Sequence, residues 1–141
     1  MKRAKWMLPA MLLLMSGLMA AQSLTSSSVV AQVPFDFMVN NKIIPAGESV
    51  VRSTGIDGQM LAIRNFDARQ SALTASSYSQ SNQAADSTVL VFKRYGNQWF
   101  LSEIRLEGSN TAYKLPESRA EAELRASRAP ASQQTLLASL K

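Results

Sequence analysis

The stretch VLVFKRYGNQWFLSEIRL, residues 89–106, constrains the fold more than any other part of this chain. Gly96-Asn97 between two runs rich in Val, Phe, Trp, Leu and Ile signals a hairpin with a two-residue turn. That register pairs Tyr95 with Gln98, Arg94 with Trp99, Lys93 with Phe100, Phe92 with Leu101 and Val91 with Ser102. Side chains alternate across a strand. One face therefore carries Leu90, Phe92, Trp99 and Leu101, with Arg94 lying against the indole, and the other carries Val89, Val91, Phe100, Ile104 and Leu106. Each of the last five would forgo about 1.5–3 kcal/mol if left in water. A sheet with two apolar faces needs cover on both.

The rest of the chain supplies β-structure for one side. In VPFDFMVNN, Val33, Phe35, Phe37 and Val39 alternate with Pro34, Asp36, Met38 and Asn40, the period of a half-buried strand with a proline suited to its start. Pro45-Ala46-Gly47 reads as a turn. Glu48–Thr54 and Gln59–Asn65 flank Gly55-Ile56-Asp57-Gly58. A tight Asp-Gly turn would mix apolar and charged faces. A looser connection places Val51 beside Ile63 and Ser53 beside Leu61, and register follows the buried face, with Gly55 expected in an unusual backbone conformation. Ser71–Tyr78 is a weaker strand, and SQSNQAADS, residues 79–87, reads as a polar excursion. Ser118-Arg119-Ala120-Glu121 forms a capping box opening a helix over about Arg119–Arg128, stopped before Pro130. Leu115, Leu124 and the C-terminal segment are then the cover available for the second hairpin face, which looks thin.

Lys2, Arg3 and Lys5 followed by the uncharged run Met7–Ala21 have the build of a secretory signal peptide; about 20 apolar residues would be needed to span a bilayer. Cleavage is expected near Ala20 or Ala21, or after Ala31. The expected organisation is a signal peptide over 1–31, a β domain over 32–116, a helix over 117–128 and a poorly ordered tail over 129–141. The fold class is all-β: one small antiparallel barrel or sandwich of six or seven strands with a short C-terminal helix. The product is expected to be exported, periplasmic or secreted, without stable membrane insertion once the signal is removed.

Charge and missing residue types exclude much chemistry. The whole chain has 15 basic and 10 acidic residues, a net charge of +5, but three of the basic ones lie in the leader; without them the balance is +2. That is no footprint for nucleic acid. The chain contains neither Cys nor His, so it has no disulfide, no lipid-modified Cys, no imidazole base and no imidazole or thiolate metal ligand. Serine and cysteine nucleophile schemes lose a partner. Asp36, Glu103 and Glu107 could supply a carboxylate pair, but Asp36 alternates away from the Phe face and Glu103 is suited to cross-strand pairing with Lys or Arg. No catalytic, cofactor or metal residue is assigned, and no cofactor is expected.

Three blocks, VPFDFMVNNKIIPAGES, VLVFKRYGNQWFLSEIRL and KLPESRAEAEL, occur in that order. Together they resemble a family of small exported proteins common in acidobacteria. The likeness covers most of residues 33–124. It implies a signal peptide, a small β domain and a C-terminal helix, and it implies no activity. Ser49 departs from the pattern, standing where an aromatic is usual, as does Ile44 where Leu is usual.

The function expected from these features is a non-enzymatic exported binding or envelope-associated module working through an apolar β surface. Arg94, Tyr95, Trp99, Phe100 and Ile104 are the candidate surface, with an unknown protein or envelope partner, or a second copy, docking there. The alternative is a barrel whose interior holds a small ligand.

Overall fold

A computed structural model describes residues 28–54 and 59–141. Among these the chain is all-β with a single short helix, and its twelve strands form two sheets. They are β1 (Ser28–Val33), β2 (Phe37–Val39), β3 (Lys42–Ile44), β4 (Gly47–Thr54), β5 (Met60–Asn65), β6 (Gln70–Ala75), β7 (Ser77–Gln80), β8 (Val89–Tyr95), β9 (Gln98–Arg105), β10 (Thr111–Lys114), β11 (Ala131–Leu137) and β12 (Ser139–Leu140); the helix, α1, spans Arg119–Ala126. The first sheet runs β12-β1-β4-β5-β6 and the second β11-β8-β9-β10-β7, with β2 paired to β3 and, through Met38 and Phe100, to β9. At Ser76 and again at Ala138 the chain steps from one sheet to the other. The expected count of six or seven strands is too low: β3, β10, β11 and β12 form from segments that did not read as strands, and some runs that read as continuous are split. The Ser71–Tyr78 run becomes β6 and β7 in this way.

Val29, Val33, Phe37, Ile44, Leu61, Ile63, Leu90, Phe92 and Ile104, all essentially without exposure, fill the space between the sheets. The β4–β5 register pairs Val51 with Ile63 and Ser53 with Leu61, as the buried-face argument requires; Gly55 lies outside the described residues. The VPFDF strand is broken. Pro34 ends β1, and the chain restarts at Phe37 to turn through Asn40-Asn41, whose φ values of 48° and 64° suit a two-residue hairpin. Gly47 opens β4 at φ 137°, where a Cβ would sit 3.2 Å from the Asn65 amide nitrogen. Buried Asn65 anchors this turn, its Nδ2 donating to the Pro45 and Ala46 carbonyls at 2.8 and 3.3 Å and its Oδ1 accepting from Ala68 N at 3.0 Å. Ser49 is buried beside Asn65, and its hydroxyl has no hydrogen-bond partner among the described residues. A polar atom thus faces the core at position 49.

Two expected boundaries need correcting. Residues 129–141 are no loose tail: all seven residues of β11 pair with β8, from Ala131 opposite Tyr95 to Leu137 opposite Val89, and β12 pairs with β1. Leu136, Ala138 and Leu140 pack on the inner core. The β domain also begins before residue 32. Strand β1 starts at Ser28, lies between β12 and β4, and contributes Val29 and Ala31 at 0% and 3% exposure. Cleavage after Ala31 would therefore remove core.

A chain beginning at Gln32 loses the burial of Val29 alone at about 1.5–3 kcal/mol, besides the ladders to β4 and β12. It should show no cooperative urea transition by Trp99 fluorescence, whereas a chain beginning at Gln22 should. Equal midpoints for the two would show that β1 is dispensable.

Candidate functional site

The hairpin follows the expected register from Tyr95–Gln98 to Phe92–Leu101. It then slips: Val91 pairs with Glu103 rather than Ser102, and Leu90 with Ile104. One extra residue in one strand, a β-bulge, moves every later side chain to the other face. Ile104 and Leu106 consequently join the inner core, at 0% and 5% exposure, and the outer face gains Glu103 and Arg105 in their place.

The five candidate surface residues do not form one patch. Arg94 and Trp99 lie on the inner side at the turn end, where the guanidinium sits 5.2 Å from the indole centroid, while Arg94 Nε donates to the Gly96 carbonyl at 2.6 Å. The other face of the indole stacks on Phe35 at 4.0 Å and 12°, and Phe35 meets Phe92 edge-on. This column closes the hairpin end as a cation–π contact commonly does. Tyr95 and Phe100 lie on the outer side, 6% and 1% exposed, with rings 5.8 Å apart and edge to face. The expected open apolar face is thus closed within the chain. The bulge takes two of its five apolar side chains inward, and the remaining three are buried.

Part of that cover is α1. Ser118 caps it, its Oγ accepting from Glu121 N at 3.2 Å. The second half of the expected capping box is absent: the Glu121 carboxylate instead accepts from the Tyr95 hydroxyl at 3.4 Å. Glu121 is only 6% exposed, the sole residue of α1 that is fully buried. Burial pushes its carboxyl above the ordinary range, opposed chiefly by the Lys93 ammonium. Burial, with the Glu121 charge second, likewise raises the Tyr95 phenol.

At the open end of the hairpin, the outer face of the second sheet carries a groove of about 810 Å³. Its floor is a lattice of cross-strand neighbours. Val89, Arg105, Ala112 and Ser79 lie abreast in register across β8, β9, β10 and β7, and Thr135, Glu103 and Lys114 fill the adjoining rows. Glu103 forms its ion pair with Arg105 at 3.1 Å, two residues along the same strand rather than across the ladder as expected, and Lys114 is its register neighbour on β10. The wall is the SQSNQAADS segment. It is clipped to the 107–110 turn by Ser81 N to Asn110 O at 2.8 Å, Ala85 N to Ser109 O at 3.0 Å and Gly108 N to Ala85 O at 2.9 Å. Thr88 ties its end, its Oγ1 accepting from Glu107 N at 3.0 Å. Hydroxyl and amide groups of Ser79, Asn82, Gln83, Ser87, Asn110 and Thr111 face this space. Sequence reasoning passed over it because no single residue there is chemically distinctive; the one signal is seven consecutive uncharged small or amide residues, 79–85, running up to Asp86.

The interior offers little to the ligand-holding alternative, since the aromatic rings of Phe37 and Phe92 meet at 5.2 Å between the sheets. Among the described residues no helix is long and apolar enough to cross a membrane. Comparisons of the chain with protein-family models, with curated proteins and with solved structures find no match.

The raised Glu121 carboxyl has a thermodynamic consequence. The folded state holds this proton more tightly than the unfolded chain, where a Glu titrates near about 4.3. The associated stability is present below that pH and is lost as pH rises to the higher folded value. Glu121→Gln should flatten this part of the stability–pH profile and match or exceed wild type at neutral pH, as urea melts at a series of pH values would show. A variant less stable than wild type only above that window would mean that the ionised carboxylate is the stabilising form.

Proposed function

We propose that this chain is a non-enzymatic exported binding module, associated with the cell envelope or secreted, whose recognition site is the polar groove on the outer face of the second sheet. The leader chemistry of Lys2, Arg3, Lys5 and the apolar run behind them supports export. One observation carries the binding reading: a floor set in register across four adjacent strands, bounded by a hydrogen-bonded wall of hydroxyl and amide side chains. Sites on rigid elements hold their polar groups in place without an ordering cost at the moment of binding.

The charges say what kind of ligand fits. Glu103 is ion-paired with Arg105, and the groove's other charged lining residues, Lys114 and Asp86, are opposite in sign, so its charges balance and favour neither an anion nor a cation. An elongated, uncharged ligand rich in hydroxyls and amides, such as an envelope glycan, matches the donors and acceptors on offer. Catalysis has less support, because the chain has neither His nor Cys to act beside Glu103.

Titration of ¹⁵N-labelled protein with N-acetylglucosamine oligosaccharides is the test. Shift changes should concentrate in residues 79–89 and 103–112 and vanish in the Gln83→Ala/Asn110→Ala double variant. Shifts confined to the Trp99 end, or none at millimolar sugar, would overturn the groove as the site for this ligand class.

A further inference from the structure

Strand β11 ends the second sheet, with β8 on one side and, among the described residues, no strand on the other. Alternate backbone N–H and C=O groups of an antiparallel edge point away from the sheet, and such a row is a template for a further strand. Natural edges are usually blunted by charge, by proline or by a bulge. This one has none of these: ASQQTLL carries no charged residue, contains no proline, and pairs with β8 in unbroken register over all seven positions. Six of the seven residues are exposed, and Leu137 is 75% exposed.

We infer that β11 pairs antiparallel with β11 of a second copy, joining the two second sheets edge to edge about a twofold axis. The sequence of the strand selects this occupant. The symmetric register that pairs all seven residues has Gln134 on the axis and brings Gln133 opposite Thr135, Ser132 opposite Leu136 and exposed Leu137 opposite Ala131 of the other copy. No like charges meet, and an otherwise bare leucine gains an apolar neighbour. The axis of such a pair is normal to the sheet, so both outer faces point the same way. Each groove reaches β11 at Thr135, and the two would open side by side on one surface, giving a bivalent site for a repeating ligand. The pairing itself stands or falls apart from the groove's ligand.

The absence of Cys elsewhere makes the register directly testable. Gln134→Cys, on the axis, should be converted to a covalent dimer by a short bismaleimide, and Ala131→Cys, opposite Leu137, should not. The unmodified chain should double its mass with concentration in sedimentation equilibrium. Gln134→Lys and Gln134→Glu should each remain monomeric with unchanged circular dichroism, and their mixture should dimerise. A monomer at millimolar concentration, or cross-linking of Ala131→Cys as efficient as that of Gln134→Cys, would overturn the pairing. If the charged variants fail to fold, the two cysteine variants still decide.

Discussion

Everything in this molecule is arranged around the bulge at Ser102. Up to Leu101 the hairpin alternates as an ideal ladder would, and one inserted residue then exchanges the faces of everything that follows. Without it, Ile104 and Leu106 would project outward beside Val89 and Val91, and Glu103 would project into the core between Phe-lined sheets. With it, the inner face acquires the two aliphatics, and the outer face acquires an ion pair that tolerates solvent. A single backbone irregularity thus turns a strand pair that is greasy on both sides into one that a chain of this length can cover, and it puts charged residues on the floor of the groove.

The cover itself is divided by position along the hairpin. Near the turn, α1 packs against β8 and brings a buried carboxylate to the Tyr95 phenol. Farther along, the polar wall of residues 81–87 stands over the floor without touching all of it, and the space left between them is the groove. Covering an apolar sheet with helix at one end and with a hydrogen-bonded loop at the other buries that face and leaves a concave polar groove. The second edge of the sheet, β11, is left to main-chain chemistry alone.

Much of this was legible in residue order. The Gly96-Asn97 turn, the pairing from Tyr95 to Phe92, the Val51–Ile63 register and the Ser118 cap all follow from local chemistry: turn residues with permitted backbone angles, or a buried face that allows one register. The bulge was not legible, because Ser102 is neither Gly nor flanked by one, and the cost of an apolar residue on the wrong side is settled only when the opposing sheet is in place. Nor was β11. ASQQTLL has weak alternation, and it becomes a strand because β8 offers seven free partners. The groove was invisible for a third reason: its residues are brought together by pairing across four strands, and each is ordinary alone.

Whether the outer hairpin face is interior or surface is read most directly by Phe100→Ser. Phe100 is 1% exposed, and truncating a buried Phe typically costs about 3–5 kcal/mol, so the urea midpoint should fall steeply or folding should fail. A Phe100→Ser protein with the wild-type midpoint would contradict the account, returning that face to solvent and to the partners an apolar surface attracts.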